Sequence, residues 1–133
     1  MEEFKVLVVD DEDDFRETIV KRLHKRNMTA RGAESGEKAL DLIDSQHFDV
    51  VVLDVKMPGL DGIETLREIK KRKPLIEVIL LTGHASMESG IEGIKWGAFD
   101  YVMKPANFDD LVEKMRQAYE KKVVSEAQAR EGR

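Results

Sequence analysis

The chain contains no cysteine, and this absence excludes disulfide bonds, thiolate metal sites and cysteine nucleophiles. No run of apolar residues is longer than four, so we expect no membrane-spanning helix. The N-terminus is acidic where a secretory signal peptide is basic and then apolar, so we expect a cytoplasmic protein. Basic residues are in the minority, with 22 Lys and Arg against 27 Asp and Glu. The net charge of −5 argues against direct binding of nucleic acid.

The length of 133 residues is typical of one domain with a single core. Hydrophobic residues make up 41% of the chain and charged residues 37%, which is the balance of a globular protein and not of a disordered one. We expect the domain to cover residues 1–121. The mostly polar segment 122–133 is expected to extend the last helix or to form a linker tail.

Alternating strand and helix patterns predict an α/β fold. Three apolar tetrads rich in β-branched residues predict strands buried on both faces of a parallel sheet, at residues 6–9, 50–53 and 78–81. Weaker strands are predicted near residues 28–31 and 100–103. Five amphipathic helical patterns lie between and after the strands, and in the fourth Met87, Ile91 and Ile94 are expected to face the core. This order predicts a (βα)₅ doubly wound parallel sheet with helices on both faces.

Polar side chains follow four of the five predicted strands. Asp10 and Asp11 come after the first strand, Asp54 after the third, Thr82 after the fourth and Lys104 after the fifth. Each of them alone is explained as well by a turn, a helix cap or a solvated charge. Together they gather at the carboxyl edge of the sheet, where ligands of open parallel sheets bind and where clustered carboxylates repel without a cation. Such oxygen ligands suit Mg²⁺, so the set predicts a Mg²⁺-assisted phosphoryl site.

Four motifs make the chain resemble the receiver domain of two-component response regulators. They occur in order over residues 4–120 and read VVDDE (8–12), LDVKMPGLDG (53–62), LTGH (81–84) and DYVMKP (100–105). The stretch from residue 82 to 105 is most similar to receivers of enhancer-binding transcription activators. The resemblance implies a flavodoxin-like five-stranded sheet with strand order 2-1-3-4-5.

Matching the acidic motifs to the family implies roles for individual residues. Asp54 corresponds to the phospho-acceptor, which forms an acyl phosphate. Asp11, Asp54 and the backbone carbonyl of Lys56 correspond to Mg²⁺ ligands, and Asp10 binds the ion directly or through water. Lys56 and His84 occupy positions that tune the lifetime of the acyl phosphate in the family, or they are solvated loop side chains.

The later motifs imply the parts of a switch. Lys104 pairs with Asp54 and then with the phosphoryl oxygens. Thr82 supplies a hydroxyl that moves onto the phosphoryl group, and Tyr101 is the aromatic residue that follows it inward. The Lys104-Pro105 bond matches a cis peptide of the family, which is reasonable because only an X–Pro bond adopts cis at low energy.

The function implied by the resemblance is a phosphorylation-controlled switch, with self-phosphorylation and slow autodephosphorylation as its only catalysis. The expected phosphoryl donor is a sensor histidine kinase or a histidine phosphotransfer protein. The surface around residues 86–120 is expected to change and to meet a downstream effector domain or protein. A phosphorylation-linked homodimer is a further expectation, and a stand-alone receiver and a part of a longer regulator remain open alternatives.

Two other functions share this fold class or this chemistry. A phosphohydrolase of the haloacid-dehalogenase type uses two aspartates one residue apart after the first strand, as Asp11 and Asp13 are. Its cap domain does not fit in 133 residues, and it leaves Asp54 and the Lys104-Pro105 motif unexplained. A nucleotide- or flavin-binding module needs a glycine-rich loop after the first strand, where Asp10 and Asp11 repel phosphate instead. Both are disfavoured.

Overall fold

Five strands alternate with five helices in the part of the chain that the computed structural model describes, residues 4–83 and 87–132. The strands are β1 (Lys5–Val9), β2 (Thr29–Ala33), β3 (Val50–Asp54), β4 (Glu77–Thr82) and β5 (Asp100–Met103). The helices are α1 (Asp13–Lys25), α2 (Gly36–Ser45), α3 (Gly62–Arg72), α4 (Met87–Lys95) and α5 (Phe108–Glu131). The strands form one parallel sheet in the order β2-β1-β3-β4-β5. The predicted (βα)₅ fold and its strand order are confirmed.

Two apolar cores cover the two faces of the sheet, because successive residues of a strand point to opposite faces. In β1, Leu7 and Val9 join the core that packs against α2 and α3, whereas Val6 and Val8 join the core that packs against α1 and α5. All four side chains are completely buried. The apolar tetrads therefore predicted the double-sided burial of the central strands correctly.

The edge strand β2 lies slightly later in the sequence than predicted. It covers Thr29–Ala33, whereas the pattern favoured residues 28–31, and Met28 is buried just before it. The burial of β2 is interrupted, with Thr29 and Arg31 exposed. An edge strand of this kind carries a weak apolar signal, so its ends are poorly defined by the sequence.

The exposed side of α4 is the side that the sequence assigned to the core. Ile91 is 48% exposed and Ile94 is 42% exposed, so the prediction that they face inward is wrong. The side chain of Met87, which was assigned to the same face, lies outside the described residues. The position of α4 after β4 was predicted correctly, but its orientation about its own axis was not.

Glycines form the inner face of α4. A Cβ atom at Gly93 would lie 2.1 Å from Leu80 Cδ1, and a Cβ atom at Gly90 would lie 3.1 Å from Tyr101 Cγ. The helix therefore approaches the sheet so closely that larger side chains have no room there. Apolar periodicity cannot detect a contact made by residues without side chains, and this explains the wrong orientation.

The last helix, α5, continues past residue 121 and ends at Glu131. The buried residues of α5 are apolar from Phe108 to Ala118, and the last of them, Lys122, is charged. Within the two described stretches of the chain, no helix combines the length and the apolar character needed to cross a membrane.

Candidate functional site

Three carboxylates converge at the carboxyl ends of β1 and β3. One oxygen each from Asp10, Asp11 and Asp54 can be chosen so that all lie within 4.8 Å of one another. Asp10 and Asp54 are buried, whereas Asp11 is exposed to solvent. The residues meet because β1 and β3 are neighbours in the sheet although they are distant in sequence. An oxygen cluster that is open to water on one side fits Mg²⁺, which keeps part of its hydration shell in proteins.

Lys104 brings the compensating positive charge. Its Nζ lies 3.1 Å from Asp10 Oδ2, 3.4 Å from Asp54 Oδ1 and 3.6 Å from Glu12 Oε1. The ammonium also lies 4.7 Å from the centroid of the Phe15 ring, which covers it on the side of α1. The Lys104-Pro105 peptide bond is cis, as the resemblance implied.

The charges of Asp54 and Lys104 depend on each other. Burial and the neighbouring Asp10 carboxylate raise the pKa of Asp54 to about 6, although the Lys104 ammonium and the backbone N–H of Lys56 oppose the rise. Burial alone would lower the pKa of Lys104, but Asp10 and Asp54 raise it above its ordinary value. Lys104 therefore stays charged at neutral pH, and Asp54 is mostly ionised but close to the pH at which it accepts a proton.

Thr82, at the end of β4, carries a buried hydroxyl. The residue is completely buried, and its Oγ1 has no hydrogen-bond partner among the described residues. Its backbone carbonyl accepts a hydrogen bond of 2.6 Å from Lys104 N. An unpaired buried hydroxyl is rare because it loses its hydrogen bonds to water without replacement.

Thr82 and Tyr101 contact the same position of α4. A Cβ atom at Gly90 would lie 3.0 Å from Thr82 Cγ2 and 3.1 Å from Tyr101 Cγ. Tyr101 is partly buried and packs against the core on the side of α2 and α3. Thr82, Gly90 and Tyr101 thus form one packed group between β4, β5 and α4, and sequence reasoning missed the glycine.

The structure brings together most, but not all, of the residues that the sequence selected. Asp10, Asp11, Asp54 and Lys104 form one cluster, and the backbone N–H of Lys56 lies near enough to Asp54 to lower its pKa. The Lys56 side chain is exposed. His84 lies outside the described residues.

The sequence model of the response regulator receiver domain matches residues 6–116 of this chain. The chain belongs to the response regulator receiver family. It is therefore a receiver domain of two-component signalling. The haloacid-dehalogenase alternative gains no support: Asp13, which it requires, begins α1 and pairs with Arg16 at 2.7 Å.

Similar proteins include transcription regulators, in agreement with the resemblance of residues 82–105. The regulatory protein AtoC of Escherichia coli (strain K12) is 38% identical over 107 residues, which are 80% of this chain and 23% of that protein. The DNA-binding transcriptional regulator NtrC of the same strain is 36% identical over 107 residues, 80% of this chain and 23% of that protein. The receiver chain spans about a quarter of the length of the curated relatives it matches.

Solved receiver structures share this fold. The receiver domain of NtrX from Brucella abortus is 35% identical and has a TM-score of 0.82, covering 86% of this chain and 98% of that one. A response regulator receiver domain protein from Clostridium thermocellum is 36% identical with a TM-score of 0.88, covering 92% of this chain and 98% of that one. The receiver therefore has the flavodoxin-like architecture that the motifs implied.

Proposed function

We propose that Asp54 is the phospho-acceptor of this receiver and that a sensor histidine kinase or a histidine phosphotransfer protein is the donor. One observation carries the proposal: the buried Asp54 carboxylate lies in the acidic cluster with Asp10 and Asp11 and 3.4 Å from the Lys104 ammonium. A carboxylate so placed is the nucleophile of the arrangement, and its neighbours supply charge. The proposed compartment is the cytoplasm, because a histidine kinase uses the ATP present there.

The transfer step is a displacement at phosphorus. An Asp54 carboxylate oxygen forms the new P–O bond while the P–N bond to the donor imidazole breaks. The imidazole nitrogen keeps the electron pair of that bond and accepts a proton. Asp54 must be ionised to attack, and its pKa of about 6 leaves the ionised form dominant at neutral pH. Lys104 then pairs with the phosphoryl oxygens, because they take over the charge that Asp54 carried.

Asp10, Asp11, Asp54 and the backbone carbonyl of Lys56 are the groups we propose to hold Mg²⁺. When bound, the ion neutralises the phosphoryl oxygens and the carboxylates, which is the main requirement of phosphoryl transfer. Because Asp11 is exposed to solvent, a Mg²⁺ ion held by these residues would be open to water and to the oxygens of an incoming phosphoryl group.

The output step begins at Thr82. Its buried hydroxyl has no partner among the residues described, and we propose that it donates a hydrogen bond to a phosphoryl oxygen on Asp54. The movement passes through Gly90 to Tyr101 and to α4, whose exposed Ile91 and Ile94 belong to the surface at residues 86–120. That surface then binds a downstream effector domain or protein, or a second receiver in a phosphorylation-linked homodimer.

The proposed boundaries are a receiver over residues 1–121 and a helical extension or linker over residues 122–133. Support for this boundary comes from burial in α5: past Lys122 the helix has no buried residue among those described, up to Gly132. Residues 123–132 are exposed or partly exposed, so they are available to transmit the position of α5.

The acceptor assignment is tested with acetyl phosphate and Mg²⁺ on the receiver chain. Intact-mass spectrometry should find one phosphoryl group on the wild type with Mg²⁺ and none without it. Asp54→Asn should gain none, whereas the matched control Asp14→Asn, an exposed aspartate on α1, should behave as the wild type does. Full phosphorylation of Asp54→Asn under these conditions contradicts the assignment.

A further inference from the structure

Every polar atom of Asp10 has a partner. Its N–H donates to Ala33 O at 3.1 Å, its Oδ1 accepts from Glu12 N at 2.9 Å, and its Oδ2 accepts from Lys104 Nζ at 3.1 Å. The remaining atom, the backbone carbonyl oxygen, accepts a hydrogen bond of 2.8 Å from Arg16 Nη1. Three of these contacts come from the strands and loops around the acidic cluster, and the fourth comes from a residue on α1 that sequence reasoning did not select.

Arg16 also binds the far end of the same loop. Its Nη2 donates to Asp13 Oδ1 at 2.7 Å, so one guanidinium bridges the two ends of residues 10–13. The Asp10 carbonyl belongs to the planar peptide unit that joins Asp10 to Asp11. By holding this carbonyl, Arg16 holds the plane from which the exposed Asp11 side chain leaves the backbone. A planar fork with several donors suits this bridge better than the single ammonium of lysine.

The helix itself does not explain the position of Arg16. α1 begins at Asp13, so Arg16 lies in its first turn, where the helix dipole disfavours a positive charge. The side chain is nevertheless mostly buried, with 13% of it exposed. Gly32 of β2 leaves the necessary room, because a Cβ atom there would lie 3.0 Å from Arg16 Cδ. The contacts of Arg16 are thus directed at the acidic loop.

We propose that Arg16 is a positioning residue for the cation site: it fixes the Asp10–Asp11 peptide plane so that the Asp11 carboxylate points at the cation. The inference rests on the proposed function of the acidic cluster. Two effects of Arg16 on Mg²⁺ have opposite signs, which makes the inference testable. As a nearby positive charge, Arg16 repels the ion, so its removal should tighten binding. As a positioning residue, it favours the bound geometry, so its removal should weaken binding.

The test is calorimetric titration of the receiver chain with Mg²⁺ alone. Arg16→Gln and Arg16→Lys should both bind Mg²⁺ about 10-fold more weakly than the wild type, the usual effect of losing a partner that orients a ligand. At saturating Mg²⁺ both should still accept phosphate from acetyl phosphate. Arg22→Gln is the matched control, because Arg22 lies on the same helix and stacks over Phe108 at 4.2 Å, and it should bind Mg²⁺ as the wild type does.

A second variant displaces the side chain without changing any charge. In Gly32→Ala the new methyl group should push Arg16 away from the Asp10 carbonyl, and Mg²⁺ binding should again weaken. If Arg16 were only a structural residue, the Arg16 variants would melt earlier but bind Mg²⁺ within twofold of the wild type, and this result overturns the inference. Tighter binding in Arg16→Gln overturns it as well, since charge would then be the dominant effect.

Asp11→Ala separates this inference from the proposed site. If Asp11→Ala loses Mg²⁺ binding while the Arg16 variants keep it, the cation site stands and the positioning role of Arg16 falls. If Asp11→Ala binds Mg²⁺ as the wild type does, the cation site is wrong and the positioning role falls with it.

Discussion

The Lys122 ammonium lies 3.0 Å from Asp49 Oδ1 at the amino ends of the strands, opposite to the Asp54 carboxylate. Both side chains are at least nine-tenths buried. Asp49 also accepts a hydrogen bond of 2.9 Å from Lys5 N, and Lys122 also binds Glu126 at 3.0 Å. This ion pair fixes the last buried turn of α5 to the amino ends of β1 and β3. The exposed part of α5 therefore begins directly after a buried ion pair.

Lys122→Met should destabilise the protein strongly, because it removes the buried ammonium from Asp49 and leaves that carboxylate with the Lys5 N–H and the exposed His47 ring. The expected loss of unfolding free energy is about 3–5 kcal/mol, measured by urea denaturation. Lys71→Met is the matched control, since Lys71 pairs with Glu68 on the surface, and it should lose less than about 1 kcal/mol. Adding Asp49→Asn to Lys122→Met should restore part of the loss. Equal effects of the two lysine variants would show that the buried pair does not anchor α5.

The raised pKa of Asp54 should make the Mg²⁺-free protein less stable as the pH increases. The folded-state pKa of about 6 lies above the ordinary 3.8, so the folded protein binds the proton more tightly than the unfolded chain. The resulting penalty is absent below pH 3.8, grows as the pH rises through 6, and reaches at most about 3 kcal/mol. The gain in stability of Asp54→Asn over the wild type should therefore be larger at pH 7.5 than at pH 5. Urea denaturation at both values checks this, and a difference independent of pH contradicts it.

Removal of the Asp11 carboxylate should stabilise the apo protein and abolish its thermal response to Mg²⁺. In Asp11→Ala the acidic cluster keeps only two of its three carboxylates, Asp10 and Asp54, beside Lys104, so the apo protein should melt at a higher temperature than the wild type. Mg²⁺ should raise the melting temperature of the wild type by mass action and leave that of Asp11→Ala unchanged. Thermal scans with and without the ion measure both effects. A wild-type response to Mg²⁺ in Asp11→Ala means that the ion binds elsewhere.

Thr82→Ala should still be phosphorylated on Asp54, but the surface at α4 and β5 should no longer change in response. The change leaves the acidic cluster and Lys104 intact, but it removes the hydroxyl proposed to bind the phosphoryl group. NMR shifts at residues 88–103 on adding Mg²⁺ and beryllofluoride should be large in the wild type and small in Thr82→Ala. Thr82→Ser keeps the hydroxyl and should restore most of the change. Shift changes of wild-type size in Thr82→Ala would contradict the proposal that Thr82 couples phosphorylation to α4.

Gly90→Ala should obstruct the same coupling, because it adds a methyl group on α4 between Thr82 and Tyr101. The added Cβ lies 3.0 Å from Thr82 Cγ2 and 3.1 Å from Tyr101 Cγ, so one of these groups must move. We expect normal phosphorylation of Asp54 and an altered response of α4. The response is measured by the fluorescence of Trp96, the single tryptophan of the chain. Glu92→Ala is the control, because it places an alanine on the exposed side of the same helix. If both variants respond as the wild type does, Gly90 has no part in the switch.

The contrast between α4 and α5 shows where pattern recognition ends. The period of Ile91 and Ile94 predicted a helix at the right place, but Gly90 and Gly93 decide which side meets the sheet. In α5 the buried face is apolar as far as Ala118, but the burial of Lys122 depends on Asp49, a residue beside the start of β3. Neither outcome follows from local sequence, because each depends on what a distant segment places opposite the helix.

The amino-acid sequence by itself determined the order of strands and helices and the edge of the sheet that carries Asp10, Asp11, Asp54, Thr82 and Lys104. It does so because backbone geometry and apolar burial repeat with short periods that a linear pattern displays. The tertiary structure alone decided that Arg16 holds the acidic loop, that the Thr82 hydroxyl is left without a partner in the described chain, and that the pKa of Asp54 rises. Hydrogen bonds, burial and charge interactions depend on distances across the fold, and those distances exist only once the segments are packed together.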